Sequence, residues 1–467
     1  MYKTVPAPSK HLPSGIAYIV ANEAAERFSY YGMRAILVMF MTQYLLNASG
    51  QLDLMSENEA QGYFHLFVSS VYFMPLLGAF LSDGVLGKYR TIIFLSLVYC
   101  VGHFALALDN TRMGLLLGQA LIALGAGGIK PCVSAHLGDQ FGANNRYLMS
   151  KVYSWFYFAI NLGAFSAMLI VPWLLQHQGA AVAFAVPGLL MLASTLIFWS
   201  GRYRFVHVPP AGRQFIKDLY SQVGLKRLTK LASIYAFIAM FWALFDQTGS
   251  SWVVQAQKMD RMVFGVELLS SQIQAANPLL IMLLVPLFSY GLYPFLSRFI
   301  SLTALTKMTI GLFLTVLAFA IPSVLQMQLD VGLTPSIIWQ LLAYVLLTSA
   351  EVMVSITCLE FSYTQAPKTM KSFVMAFYLL SVAVGNFFTS AVNFIIQNPD
   401  GSSKLAGASY FWFFTGLMLI TAVLFKISRA SVLFAFFCIF VFIYVLVYYI
   451  TLYFYLSTIP LHFFHQS

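Results

Sequence analysis

The chain has 467 residues, of which 60% are hydrophobic and 9% are charged, and its formal net charge is +10. Water-soluble globular proteins carry about 25% charged residues, so this composition excludes a soluble globule and indicates a polytopic membrane protein. Basic residues of such proteins concentrate in the loops beside the membrane, so the positive charge does not indicate nucleic-acid binding.

Apolar runs long enough to cross about 30 Å of hydrocarbon recur along the chain, separated by short polar or Gly- and Pro-marked turns. The sequence therefore predicts an all-α integral membrane protein. We place thirteen transmembrane helices at 15–46, 60–82, 90–108, 113–135, 148–175, 181–200, 231–255, 272–296, 301–325, 335–360, 372–396, 408–427 and 431–457.

The first of these segments contains Glu23, Glu26, Arg27 and Arg34, although a membrane helix normally tolerates no charge. At helical spacing, the charged side chains and Tyr30 share one face. An ionised side chain at the bilayer centre costs at least about 3 kcal/mol, so such residues usually mark substrate or proton pathways. The alternative is a set of structural ion pairs that only hold helices together.

The distribution of lysine and arginine predicts the orientation. Nineteen of them fall on one side of the predicted helices and four on the other, while Arg27, Arg34 and Lys130 remain within the membrane. Cytoplasmic loops carry the excess of positive charge, so the N-terminus is predicted to be cytoplasmic. The uncharged thirteenth segment would then place the C-terminus outside.

The longest predicted cytoplasmic connection divides six helices from six. Two six-helix halves joined by a basic loop resemble the major facilitator fold, in which the halves rock about a site at the membrane midplane. Residues 78–90 are also similar to the loop signature of that superfamily. We expect an N-terminal bundle at 1–200, a linker at 201–230, a C-terminal bundle at 231–427 and an extra helix with a tail at 428–467.

Two motifs resemble signatures of the proton-dependent oligopeptide transporter family, bacterial type. Residues 23–32 match its ExxERFxYYG motif, and residues 156–163 match its FYxxINxG motif. The resemblance covers roughly residues 15–427. It implies a symporter, with no enzyme activity, that imports di- and tripeptides with protons by alternating access. It also implies a monomer in the bacterial inner membrane, with protons as the coupling ion and no other cofactor.

A peptide transporter must recognise a zwitterion whose charged ends lie about 5 to 10 Å apart. A site that accepts many sequences has to hold the termini and the backbone. Arg34 and Lys130 are suited to the peptide carboxylate, and Glu351 is suited to the amino terminus. The other candidate substrate-binding residues would bond backbone amides or shape side-chain pockets. They are Tyr30, Tyr72, Asn161, Trp242, Asn277 and Tyr378. For a lone Asn or Tyr in a helix bundle, a structural hydrogen bond is the more common role.

Proton coupling requires carboxylates whose proton affinity changes with ligand and conformation. The candidates for this role are Glu23, Glu26, Asp246 and Glu351, together with the partner cation Arg27. The resemblance implies that the first two acids exchange partners with Arg27 and Lys130. It also implies that Lys130 pairs with Glu351 when no peptide is bound.

Two departures from the family leave an alternative open. Asp246 stands where the family usually has Glu, and Tyr378 stands where bacterial members usually have Trp. The protein could therefore belong to the same family but carry a non-peptide anion or a peptidomimetic drug. A membrane enzyme or receptor is a more distant alternative, because the predicted outer loops are short. The four cysteines are scattered singly, which argues against metal or disulfide roles.

Overall fold

The structure is a computed structural model that describes residues 2–210, 212, 222–365 and 371–428. These ranges contain twelve long helices, numbered α1–α12. The first six are α1 (Ile16–Gln43), α2 (Glu57–Phe73, continued by Pro75–Ala79 and a π turn at Phe80–Leu86), α3 (Lys88–Leu108), α4 (Arg112–Gly138), α5 (Met149–Gln178) and α6 (Ala180–Ser200).

The second six helices follow the linker. They are α7 (Gln222–Phe245, continued by a 3-10 turn at Asp246–Gly249 and by Ser251–Gln257), α8 (Ala276–Leu287, continued by a π turn at Phe288–Leu292 and by Tyr293–Leu296), α9 (Ala304–Asp330), α10 (Ile338–Glu351, continued by a π turn at Val352–Ile356 and by Thr357–Gln365), α11 (Lys371–Ile396) and α12 (Ala408–Ile427). A small hairpin of β1 (Met262–Val263) and β2 (Val266–Glu267) lies between α7 and α8.

Eleven helices of the described part are long and apolar enough to cross a membrane. The remaining one, α1, has the length but carries the charged cluster. Each of the first twelve predicted segments overlaps one of these helices. The thirteenth, at 431–457, lies outside the described residues. The helix α7 begins at Gln222, within the predicted linker, so residue 231 marks the start of its apolar part and not of the helix.

The hydrophobic core falls into two large clusters that follow the order of the chain. The first is built almost entirely from residues of α1–α6, and the second from residues of α7–α12. Within the first bundle α1 packs on α5 and α6, and within the second α9 packs on α12. The two bundles meet where α2 packs on α11.

Three of the described helices contain π turns, and α7 is interrupted by a 3-10 turn. Glu351 is the last residue of α10 before its π turn, and Asp246 is the first residue of the turn that interrupts α7. Such irregularities are frequent at functional sites, because they re-aim side chains and leave backbone groups available. Both carboxylates therefore project from points where the helix is locally distorted.

We expect Gly385→Ala to lower the stability of the C-terminal bundle. At Gly385, α11 comes so close to α7 that an added Cβ would clash with the Ala239 backbone carbonyl and lie 2.8 Å from the Ala243 backbone nitrogen. Overpacking of this kind costs about 1–3 kcal/mol. Gly416→Ala on α12 is the matched control, because no atom lies within 4 Å of its added Cβ. The check is thermal unfolding in detergent, and equal melting temperatures for both variants would contradict the expectation.

Candidate functional site

The charged residues of α1 form a compact cluster inside the N-terminal bundle. Arg27 Nε lies 2.7 Å from Glu23 Oε1 and 3.1 Å from Glu26 Oε2, and all three side chains are buried. Glu23 and Arg27 meet because they are four residues apart on one helix. Only the contact with Glu23 has hydrogen-bond geometry, and both carboxylate oxygens of Glu26 lack a hydrogen-bond partner. Two acids thus share one guanidinium.

Lys130 of α4 lies between two aromatic rings. Its Nζ is 4.1 Å from the ring centroid of Tyr30 and 5.1 Å from that of Tyr72. Cation–π contacts of this kind contribute about 0.5–2 kcal/mol, the larger values applying to desolvated sites. The ion pairs of the described residues do not include one between Lys130 and Glu351. The ammonium group therefore faces rings in this conformation, and the pair implied for the peptide-free state is not formed.

Arg34 and Asp246 form a buried ion pair between the two halves of the chain. Arg34 Nη2 donates to Asp246 Oδ1 at 2.5 Å, and both side chains are less than a tenth exposed. The second carboxylate oxygen accepts a hydrogen bond from Asn386 Nδ2 of α11 at 2.6 Å. Both oxygens of Asp246 are thereby occupied, so the sequence-predicted acid of α7 serves as a bridge between α1 and α11.

His65 extends this bridge to α2. Its Nδ1 lies 2.7 Å from Asn386 Oδ1, and its Nε2 lies 2.8 Å from Ser250 Oγ. His65 is fully buried. The sequence interpretation did not include His65, Asn386 or Ser250. A histidine and an asparagine inside apolar segments are the sequence signal that could have identified His65 and Asn386. Polar side chains in membrane helices usually face a partner or a cavity.

Glu351 of α10 is held by a neighbouring asparagine. Asn277 Nδ2, at the start of α8, donates to Glu351 Oε2 at 2.7 Å and lies 3.2 Å from Thr348 Oγ1. Both Glu351 and Asn277 are partly exposed. In this conformation Asn277 therefore binds the candidate acid, although the sequence predicted a hydrogen bond to peptide amides.

The other candidate residues have partners within their own halves. Asn161 Nδ2 donates to the Tyr157 carbonyl of the same helix at 2.9 Å. Tyr378 and Ser355 share a hydrogen bond of 2.9 Å between their hydroxyls. Trp242 packs against Phe241 and Phe245, with ring centroids 5.1 and 5.2 Å apart. In this conformation these residues therefore make structural contacts within the protein.

Several contacts close the two halves against each other at one end. They lie along the C-terminal halves of α1 and α5 and the N-terminal half of α2, which is the predicted extracellular end. Besides the bridge of Arg34 and His65, the contacts are Glu57–Lys258, Ser69–Ala383 carbonyl, Ser390–Gly62 carbonyl, Gln397–Ser56, Gln274–Ala35 carbonyl and Gln272–Leu169 carbonyl. The structure is thus in a conformation that is closed at this end.

No group of three or more His, Cys, Asp or Glu in the described ranges could hold a metal ion. Cys100, Cys132 and Cys358 are free thiols and are buried. Cys132 Sγ contacts the Gly128 carbonyl at 3.3 Å within its own helix. The side chains of the site offer carboxylates, cations, amides and hydroxyls.

Comparison with known proteins gives a consistent result. The POT family model, PTR2, matches residues 89–225 and 221–413. Peptide transporter family 1 of Drosophila melanogaster is 37% identical over 371 residues, which are 69% of this chain and 49% of the relative. Human solute carrier family 15 member 2 is 35% identical over 379 residues, which are 70% of this chain and 51% of the relative. The chain spans about half the length of these curated relatives.

Two solved structures match over nearly their full length. The POT family transporter PepTSo, crystallised in meso, has a TM-score of 0.80 and 36% identity, with 90% of this chain and 99% of that chain covered. An auto-inhibited POT family peptide transporter has a TM-score of 0.81 and 35% identity, with 90% and 97% covered.

Proposed function

Because the chain belongs to the POT family of transporters, we propose that it is a proton-coupled symporter that imports di- and tripeptides by alternating access. It is a multi-pass membrane protein of the major facilitator fold, not an enzyme. The proposal places it in the bacterial inner membrane as a functional monomer with a cytoplasmic N-terminus. Protons are the coupling ion, no other cofactor is required, and the partners are the peptide and the lipid bilayer.

The observation that carries this proposal is the arrangement of opposite charges on facing halves. Arg34 and Lys130 come from the N-terminal bundle, whereas Glu351 comes from the C-terminal bundle. A zwitterionic peptide that binds its carboxylate to the two cations and its amino group to Glu351 would draw the bundles together. A ligand biases a conformational equilibrium only through such differential contacts, and here both ends of the ligand supply them.

The internal partners of these charges are replaceable by groups of a peptide. Arg34 is held by Asp246 at 2.5 Å and Glu351 by Asn277 at 2.7 Å. A buried charge that loses its partner is destabilised by several kcal/mol, so it must gain another in the same step. The peptide carboxylate can replace Asp246 at Arg34, and the peptide amino group can replace Asn277 at Glu351. Backbone amides would then meet Tyr30, Tyr72, Asn161 and Asn277, with Trp242 and Tyr378 near the side chains.

Protonation of the carboxylates contributes to the same exchange of partners. Glu23 and Glu26 share the single guanidinium of Arg27 at 2.7 and 3.1 Å. Protonation of one acid leaves the other as the only anionic partner of Arg27, and it weakens the electrostatic attraction of the two acids for Lys130. Asp246 acts likewise on Arg34, because a neutral carboxyl holds a guanidinium less strongly. Proton binding thus releases cations for the peptide carboxylate.

The proposed function is tested by uptake into proteoliposomes. With an inside-negative potential, we expect purified protein to accumulate radiolabelled dialanine, and a protonophore should abolish the accumulation. Unlabelled di- and tripeptides should compete, whereas free alanine and nitrate should not. Competition by nitrate or a drug-like amide, but not by peptides, would favour a family member with another substrate. No uptake under any proton gradient would refute the coupling.

A further inference from the structure

A polar stripe of α3 is buried in the interior of the N-terminal bundle. It consists of Ser96, Tyr99 and His103, which are spaced three and four residues apart and therefore share one face of the helix. All three side chains are at most 1% exposed. The Ser96 and Tyr99 hydroxyls and both ring nitrogens of His103 lack a hydrogen-bond partner within the protein.

Two residues of α1 that interact electrostatically with Tyr99 have unpartnered atoms as well. Both carboxylate oxygens of Glu26 and the hydroxyl of Tyr30 are buried without a hydrogen bond. Tyr99 lies within electrostatic range of Glu26, Tyr30 and Arg27, and its ring stacks on that of His103 with centroids 5.0 Å apart. These five side chains of α1 and α3 thus carry seven buried polar atoms without a hydrogen-bond partner.

The surrounding helices pack closely on this stripe. Gly125 of α4 and Gly188 of α6 approach the stripe so closely that an added Cβ would lie 2.6 Å from Tyr99 Cβ and 2.8 Å from His103 Cβ, respectively. The Phe184 carbonyl of α6 faces the His103 ring, but neither ring nitrogen completes a hydrogen bond to it. Buried polar atoms are almost always bonded, and internal water, with two to four bonds per molecule, is the usual partner where the protein provides none.

We propose that ordered internal water lies between α1 and α3 and joins the Glu26 carboxyl to Tyr99 and His103. Tyr99 and His103 then position the proton carried by Glu26. The water itself does not depend on the transport function, whereas the role in coupling rests on the proposed function. The charged and titratable groups that face this network are Glu23, Glu26, Arg27, Tyr30, Cys100 and Lys130.

The proposed step moves one proton and breaks no other bond. When a proton reaches Glu26, the carboxylate becomes a carboxylic acid whose O–H donates to the water. The water then donates to the Tyr99 oxygen or to the unprotonated nitrogen of a neutral His103. When the proton leaves, the carboxylate accepts from the same water. The network therefore bonds Glu26 in both states without a further ion, and it bonds the ionised state more strongly, because hydrogen bonds to a charged group are stronger.

Radiolytic footprinting tests the water directly. Hydroxyl radicals are generated from water by X-rays in the full-length protein, and mass spectrometry then measures modification at each residue. We expect Tyr99 and His103 to be modified several-fold faster than Tyr344, which is equally buried but donates its hydroxyl to the Thr248 carbonyl at 3.3 Å. Equal, slow modification of the three residues would overturn the proposal, whether or not the protein transports peptides.

The positioning role is tested by Tyr99→Phe, which removes the hydroxyl and keeps the ring. We expect the midpoint of the pH profile of proton-driven dialanine uptake to move by about half to one pH unit, the size of one lost hydrogen bond. Peptide counterflow without a proton gradient should change by less than about twofold, since the peptide contacts remain.

Tyr410→Phe is the matched control in the other bundle, where the hydroxyl contacts Asn393 Nδ2 at 3.1 Å. Its pH profile should coincide with that of the wild type. A Tyr99→Phe profile that also coincides with the wild type, or an equal loss of counterflow and driven uptake, would refute the positioning role. Footprinting of the wild-type protein decides the presence of water even if the variant does not fold.

Discussion

Glu351→Gln is expected to abolish the accumulation of dialanine against its gradient while leaving peptide counterflow largely intact. The substituted amide keeps an oxygen that can accept the hydrogen bond from Asn277, now 2.7 Å long, so the local geometry should persist. It can neither carry a charge nor release a proton. A potential of about 100 mV acting on one charge supplies about 2.3 kcal/mol, which corresponds to roughly 50-fold accumulation. The variant should lose all of it.

The matched control is Glu360→Gln, in the segment that continues α10. Glu360 is exposed and lies past the π turn at Val352–Ile356, so the same change of charge occurs on the same helix but outside the site. This variant should accumulate dialanine like the wild type. Both variants are compared in one preparation of liposomes by driven uptake and by counterflow. Wild-type accumulation by Glu351→Gln would remove Glu351 from the coupling mechanism.

Asp246→Asn is expected to open the predicted extracellular end. The substitution leaves the buried Arg34 guanidinium without its anionic partner, which costs about 3–5 kcal/mol when the charge remains buried. Conformations in which water reaches Arg34 avoid this cost, and a change of about 3 kcal/mol shifts a two-state equilibrium by roughly 150-fold. Spin labels at Ser49 and Leu333, exposed in predicted outer loops of opposite halves, report the opening as a longer distance. The four native cysteines are first replaced.

Lys258→Gln provides the control for this experiment. Lys258 Nζ lies 3.0 Å from Glu57 Oε1 and also joins the two halves, but both side chains are about half exposed. Exposed ion pairs contribute about 0–1 kcal/mol, so the distance distribution should remain close to that of the wild type. An unchanged distribution for Asp246→Asn, or an equal shift in both variants, would show that the buried pair does not hold the outer end closed.

Local features of the fold were predictable because short stretches of sequence determine the helical spacing of residues and the length of each hydrophobic segment. The cluster of Glu23, Glu26 and Arg27 follows from their spacing on one helix, and the structure brings these side chains together as expected. The first twelve predicted membrane segments correspond to helices for the same reason. The interruption of α7 at Asp246 and the π turns were not predicted, because they depend on packing between helices.

Side-chain contacts between segments that are far apart in the chain could not be predicted from the sequence. Arg34 and Asp246 are 212 positions apart, and no periodicity connects residues across the linker. His65 and Asn386 are 321 positions apart and were not recognised. The implied pairing of Lys130 with Glu351 is not formed in the structure, in which Lys130 faces the rings of Tyr30 and Tyr72. Since partner exchange is the proposed mechanism, one conformation can contain only one set of partners.

The most direct test of the central claim is to measure proton entry together with peptide entry. Proteoliposomes are loaded with a pH-sensitive dye, held at a constant inside-negative potential, and mixed with dialanine. The account predicts that dialanine acidifies the interior with the wild-type protein and not with Glu351→Gln, in parallel with uptake of the labelled peptide. Peptide uptake by the wild type without any acidification would contradict the account.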